Sequence, residues 1–313
     1  MSAQFNHRNA PSPEIVLLAV GMLWAQLFWS LIPIWQNGIY YEYGWFVGPI
    51  AIGFAIRRLA MGEFLPWKNP SWVSGIPLLA LVTVFLVGTT LLVAVRIVEI
   101  VNQNWHPPLL VHALLVVGLS HGLLLVTGGL APTRALLPVT LFALTAVPYP
   151  GQVEMRLVEG LTDAVISATT ELFHLSGLPV ERFGNSMSLS GLTVEVTGGC
   201  SGIKSLQTFI MAGMFFGELL LLRLPGRLFL LGVAGTCSLV LNIARAYWLA
   251  KVRFFEGEEA FDGKHDLVGH TAFALGSLIL LLSGRLLSRT WGGRTVVTKH
   301  KAGQLISTQS EDC

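Results

Sequence analysis

Charge is what this sequence has least of. Asp, Glu, Lys and Arg make up 12% of its 313 residues, about half the share of about 25% in a water-soluble domain. A chain so poor in charge and 53% hydrophobic is not a soluble globular domain; it reads as a polytopic membrane protein. The charges nearly cancel, to a formal net of +2, so no nucleic-acid partner is expected. Cysteine is scarce as well: Cys200, Cys237 and Cys313. Cys237 falls inside an apolar run and Cys313 ends the chain, so no pairing is geometrically natural and no disulfide is expected. The first apolar segment has neither a strong basic flank nor a small-residue cleavage site, which predicts an uncleaved helix rather than a signal peptide. No internal repeat is visible.

Long apolar runs are what the sequence does have. Eight of them, at 14–35, 40–60, 72–95, 109–130, 132–147, 201–222, 228–250 and 267–287, predict an all-α polytopic membrane fold of about eight transmembrane helices. The expected organisation is a polar N-terminal tail over 1–13, one membrane domain over 14–290 and a polar C-terminal tail over 291–313. Tyr40, Tyr41, Tyr43 and Trp45 open the second run and suit a membrane–water interface belt. Pro33 and Pro49 are tolerable inside membrane helices. His112 and His121 read as hydrogen-bonding residues between helices. Over 148–199 the chain is only moderately apolar. There, 152–175 has the spacing of an amphipathic helix and 186–196 alternates like a β-hairpin around a Ser-Gly turn. A charged loop is expected over 251–266. Arg57, Arg58, Lys68, Arg134, Arg223, Arg227 and the basic tail all follow even-numbered runs. By the positive-inside rule both termini are then cytoplasmic, and 148–199 and 251–266 lie on the far side, the periplasm of a Gram-negative cell.

The stretch 194–207, VEVTGGCSGIKSLQ, sits where that polar segment meets the sixth run. Thr197, Gly198 and Gly199 read as a turn, and Cys200 as the start of a helix. Unpaired backbone N–H groups at a helix N-terminus favour a thiolate, and Lys204, one turn on, acts in the same direction. Asn242 and Arg245 share a face of the seventh run, with Arg245 about 7–8 Å inside its end at helical rise. An arginine at that depth is costly and marks function or a buried ion pair. His265, followed by Asp266, and His270 stand at the start of the eighth run, and either imidazole suits a base. Cys200, His265 and His270 lack metal-ligand spacing, so no metal and no other cofactor is expected. A thiol, an arginine and a histidine at one membrane face suit cysteine acyl transfer. A transporter or channel with Arg245, Lys204 and Glu218 as pathway residues is the alternative.

At these residues the sequence resembles the exosortase/archaeosortase family. The matching pieces are CSGIKSL from Cys200, the N-x-x-R of Asn242 to Arg245, and His265 with Gly269 and Phe273; YYEYGWFVGPIAI from Tyr40 is similar to that family's early span. The resemblance covers about residues 14–290. It implies a membrane-embedded cysteine protease/transpeptidase. Such an enzyme recognises membrane-anchored proteins that carry a C-terminal sorting signal: a Pro-Glu-Pro-like motif, a transmembrane helix and a basic tail. It cleaves the signal and transfers the protein to a surface acceptor. The family's catalytic trio carries over as Cys200, Arg245 and His265. Histidine in the third place is like the bacterial exosortase branch, which implies the bacterial inner membrane. His270 stays a second candidate for the base.

Overall fold

A computed structural model of the chain describes residues 12–37, 40–68, 70, 78–102, 105–195 and 202–291. The outermost parts of both tails, and Cys200 and Cys313, lie outside the described residues. The fold is an all-α polytopic bundle. Its helices are α1 (Pro13–Asn37), α2 (Gly44–Ala60), α3 (Leu78–Val101), α4 (Pro107–Gly128), α5 (Leu130–Ala143), α6 (Gly151–Leu175), α7 (Ile203–Leu219), α8 (Leu224–Glu256) and α9 (Glu258–Trp291). Each of the eight apolar runs overlaps one helix, and the amphipathic stretch is α6.

Among the described residues five helices, α1, α3, α4, α8 and α9, are long and apolar enough to cross a membrane alone; the pair α5 and α6, bent by 78°, makes a sixth if it counts as one span. The multi-pass character is therefore plain. The remaining helices are shorter than the apolar runs suggested: α2 and α7 have 17 residues each. At 1.5 Å per residue that is about 25 Å, less than the ~30 Å of a hydrocarbon core.

The start of α2 shows why. Residues 40–43 are not helical. The Tyr41 hydroxyl donates to Glu154 Oε2 (2.9 Å) and accepts from the Tyr149 N–H (2.9 Å). Tyr43 donates to the Thr145 carbonyl (2.8 Å), and the Trp35 indole to the Ala146 carbonyl (3.1 Å). Tyr41 is 3% exposed, so it is not part of an interface belt. The cluster staples the α1–α2 junction to the α5–α6 junction, and the phenols satisfy backbone groups that the bend leaves free.

The charged segment 251–266 is not a loop. It is helical throughout except at Gly257, whose φ of 92° suits only glycine. With 33 and 34 residues, α8 and α9 are each about 50 Å long and outreach the hydrocarbon core. Their charged ends pair with one another: Arg253 with Glu258 (2.8 Å) and Lys264 with Glu256 (2.5 Å). Density of charge was a wrong sign of loop.

The small sheet has one strand more than the expected hairpin. β1 (Glu181–Phe183), β2 (Ser186–Leu189) and β3 (Leu192–Glu195) lie antiparallel in that order. Ser190 (φ 52°) and Gly191 (φ 87°) make the two-residue turn between β2 and β3, with the positive φ pair that suits strand twist. Met187 is fully buried beside Ile166 and Phe173 of α6, Val180, and Ala250 of α8. The sheet thereby caps the projecting end of α8.

Two cores hold the bundle. One joins α1, α2, α4 and α5 around Leu27, Val47, Val116, Leu124 and Phe142; the other joins α7, α8 and α9 around Phe209, Leu230, Ala234 and Leu280. Gly276 permits the second: a Cβ there would lie 2.2 Å from the Phe209 ring. Buried polar side chains tie helices across the bundle. His112 Nδ1 meets Glu99 Oε1 at 2.8 Å, and His121 Nε2 meets the Thr140 hydroxyl at 3.0 Å, the interhelical role expected of both. At the end of the bundle where α2 and α7 finish, Glu218 (1% exposed) takes Arg58 Nε at 2.5 Å, Arg58 Nη2 at 2.8 Å and Arg227 Nη1 at 2.7 Å.

Candidate active site

The opposite end, where α7 begins, holds the predicted site. α8 carries Asn242 and Arg245 one turn apart, and α9 returns antiparallel beside it carrying His265, Gly269 and His270. Arg245 Nη2 lies 2.9 Å from His265 Nε2. Guanidinium has only donors, so Nε2 must accept, and the imidazole proton then sits on Nδ1. Nδ1 is 3.1 Å from Asp266 Oδ1, the acceptor for that proton. The relay Arg245–His265–Asp266 therefore sets one tautomer: neutral imidazole with its lone pair on Nε2. Arg245 Nε is buried and has no hydrogen-bond partner among the described residues.

A cleft of about 440 Å³ opens over this pair, lined by Lys204, Asn242, Arg245, His265, Asp266 and His270 together with Tyr40 and Phe273. Five of the six residues singled out in the sequence thus meet in one cavity. The sixth, Cys200, lies outside the described residues. Gly202, two positions later, lies against the site. Its φ is 89°, and a Cβ on it would stand 2.6 Å from Asn242 Nδ2. Glycine is thus required there twice, by backbone and by space. Gly269 faces Arg245 more loosely, at 3.9 Å from Nε to its notional Cβ.

Two details were not read in the sequence. Lys204 is not a free cation: its Nζ lies 2.7 Å from Glu42 Oε2, and both side chains are more than half exposed. Its field at the start of α7 is thereby largely offset. Tyr40, next to Tyr41, lines the cleft. The YYEY run alternates in use: Tyr40 lines the cleft and Glu42 pairs with Lys204, while Tyr41 and Tyr43 fasten the junction behind it. Period-two alternation in an aromatic run outside a helix was the available signal. His270 is exposed and makes no hydrogen bond to the described residues, whereas His265 is held on both nitrogens.

No group of three or more His, Cys, Asp or Glu among the described residues is arranged to hold a metal ion. The family model described as transmembrane exosortase fits residues 35–282 of the chain. This chain belongs to the transmembrane exosortase family. The matched span runs from the last turns of α1 to near the end of α9 and takes in the tyrosine run, α7 and the Arg245–His265 pair. No curated protein and no solved structure matches the chain.

The exosortase cleft has the chemical parts for handling a carbonyl or carboxylate. It offers a part-buried guanidinium whose Nε is buried, a neutral imidazole at hydrogen-bond distance from it, and walls that are mainly side chains of α7, α8 and α9. Fixed donors of this kind can act on developing negative charge.

Proposed function

We propose that this exosortase is a membrane-embedded cysteine protease/transpeptidase that cleaves C-terminal sorting signals of the Pro-Glu-Pro type and transfers the protein to a surface acceptor. The observation that carries the reading is the 2.9 Å contact of Arg245 with His265 inside a cleft bordered by the start of α7. Chain connectivity keeps the Cys200 Cα within about 7 Å of the Gly202 Cα, and Gly202 packs on Asn242 one turn from Arg245.

In this mechanism His265 Nε2 takes the proton of the Cys200 thiol once the substrate draws Arg245 aside. The thiolate adds to the scissile carbonyl, and Arg245 donates to the oxyanion that forms. Collapse breaks the C–N bond, and His265 returns the proton to the leaving amine. An acceptor nucleophile then attacks the thioester, loses its proton to His265 and releases the thiol. Asp266 holds the Nδ1–H tautomer throughout. Water in the acceptor's place gives hydrolysis by the same steps.

Arg57 and Arg58 end α2, and Arg223 and Arg227 open α8, at the end of the bundle away from the site. By the positive-inside rule that end is cytoplasmic, so the cleft opens on the periplasmic side of the inner membrane and both termini are cytoplasmic. The transporter alternative loses Glu218 as a pathway residue, since Arg58 and Arg227 occupy its carboxylate.

The test is processing of a co-expressed reporter anchored by a Pro-Glu-Pro motif, an apolar helix and a basic tail. Wild type should shorten it, and Cys200→Ala, at equal membrane level, should not. Equal processing by both sinks the cysteine mechanism.

A further inference from the structure

The face of α8 and α9 that turns away from α7 carries an apolar groove of about 520 Å³, lined by Trp248, Leu267, Val268, Thr271 and Leu275. Trp248, Leu267 and Leu275 are 51%, 67% and 48% exposed, so within a bilayer this face meets lipid. Its α9 positions, 264, 267, 268, 271, 272 and 275, recur at helical spacing and form one straight stripe. Eleven residues of rise make the stripe about 16 Å long, half the hydrocarbon thickness.

Leu241, Arg245 and Ala272 line both this groove and the polar cleft. The two cavities are thus neighbours across one ridge, and the reactive guanidinium stands in that ridge. A second apolar groove, of about 230 Å³ among α1, α2 and α5 with Leu17, Phe28, Ile52 and Ile56 in its walls, shares no residue with the cleft.

Resting on the protease reading above, we propose that the α8/α9 groove docks the transmembrane helix of the protein being processed. About three turns of an apolar helix match the stripe. At its upper end the docked chain meets Arg245 and Lys264, leaves the helix, and crosses the ridge into the cleft, where its peptide bond reaches the reactive pair. An acyl chain of a lipid would fill the same stripe yet place nothing cleavable at the ridge. The groove among α1, α2 and α5 would leave the scissile bond on the wrong side of the bundle.

The experiment uses the full chain in membranes with the same anchored reporter. On a Cys200→Ala background, which holds the reporter uncleaved, p-benzoylphenylalanine in place of Leu275 should give a reporter adduct on irradiation. The same photoprobe in place of Ile56 should give none. In the active enzyme, Val268→Trp fills the groove and should lower processing at least about tenfold, at unchanged membrane level; Ile56→Trp should process as wild type. The inference is overturned if wild type cleaves the reporter while Val268→Trp does so at the same rate, or if the photoprobe at 275 captures only lipid while that at 56 captures the reporter. If wild type cleaves nothing, the protease reading itself fails and the docking role goes with it.

Discussion

The two ends of the bundle each bring arginine to the level of the apolar helices, and they use it in opposite ways. At one end Arg58 and Arg227 close on Glu218, and Arg58 also reaches Glu63, so that buried charge is matched by opposite charge. At the other end Arg245 makes no ion pair with a carboxylate among the described residues. It donates to a neutral imidazole, and its buried Nε has no hydrogen-bond partner among those residues. A saturated cluster fixes helices and has nothing left to offer a ligand. An unsaturated one is costly in the free protein, and an acceptor from a ligand would offset that cost.

The largest effect expected from this contrast is on stability at the saturated end. Glu218→Ala leaves two arginines without their carboxylate and should cost about 3–5 kcal/mol. Thermal unfolding in detergent would register it as a lowered midpoint, with processing per folded molecule little changed. A wild-type midpoint would break the distinction between the ends. Next comes Arg245→Ala, which should lower the processing rate about 10²–10³-fold, the usual loss on removing a donor to an oxyanion, while the unfolding midpoint stays near that of wild type. Arg245→Lys keeps the charge without the planar fork and should restore only part of the rate. The smallest effect is at Lys204 and Glu42. Because that pair is exposed, a double-mutant cycle of Lys204→Ala and Glu42→Ala on stability should give a coupling of about 0.2–1 kcal/mol that shrinks with added salt. A larger coupling would mean that the loop holding Tyr40 depends on this pair to stay at the cleft.

Much of the site was legible because its residues are chemically out of place. Arg245 in an apolar run, and histidines at the edge of such a run, violate the composition around them, and such violations survive any error in helix ends. Glu218 violated it too, and sequence alone could not separate its role from that of Arg245. Only the presence of Arg58 and Arg227 around it does that, and those three residues are 160 and nine positions apart in the chain. The tyrosine run failed differently. Its composition fitted an interface belt, but its hydroxyls answer backbone groups exposed by the bend between α5 and α6, a demand that arises more than a hundred residues away.

What the sequence determined by itself is the membrane class, the helical content and the residue types that carry the chemistry. Hydropathy and helical spacing are local quantities and add up along the chain without reference to partners. Which charges are spent and which are free, where α8 and α9 outrun the bilayer, and that one arginine stands between a polar cleft and an apolar groove were decided only by tertiary structure. Each of these is a relation between helices, and burial and pairing take their values only once the helices have packed.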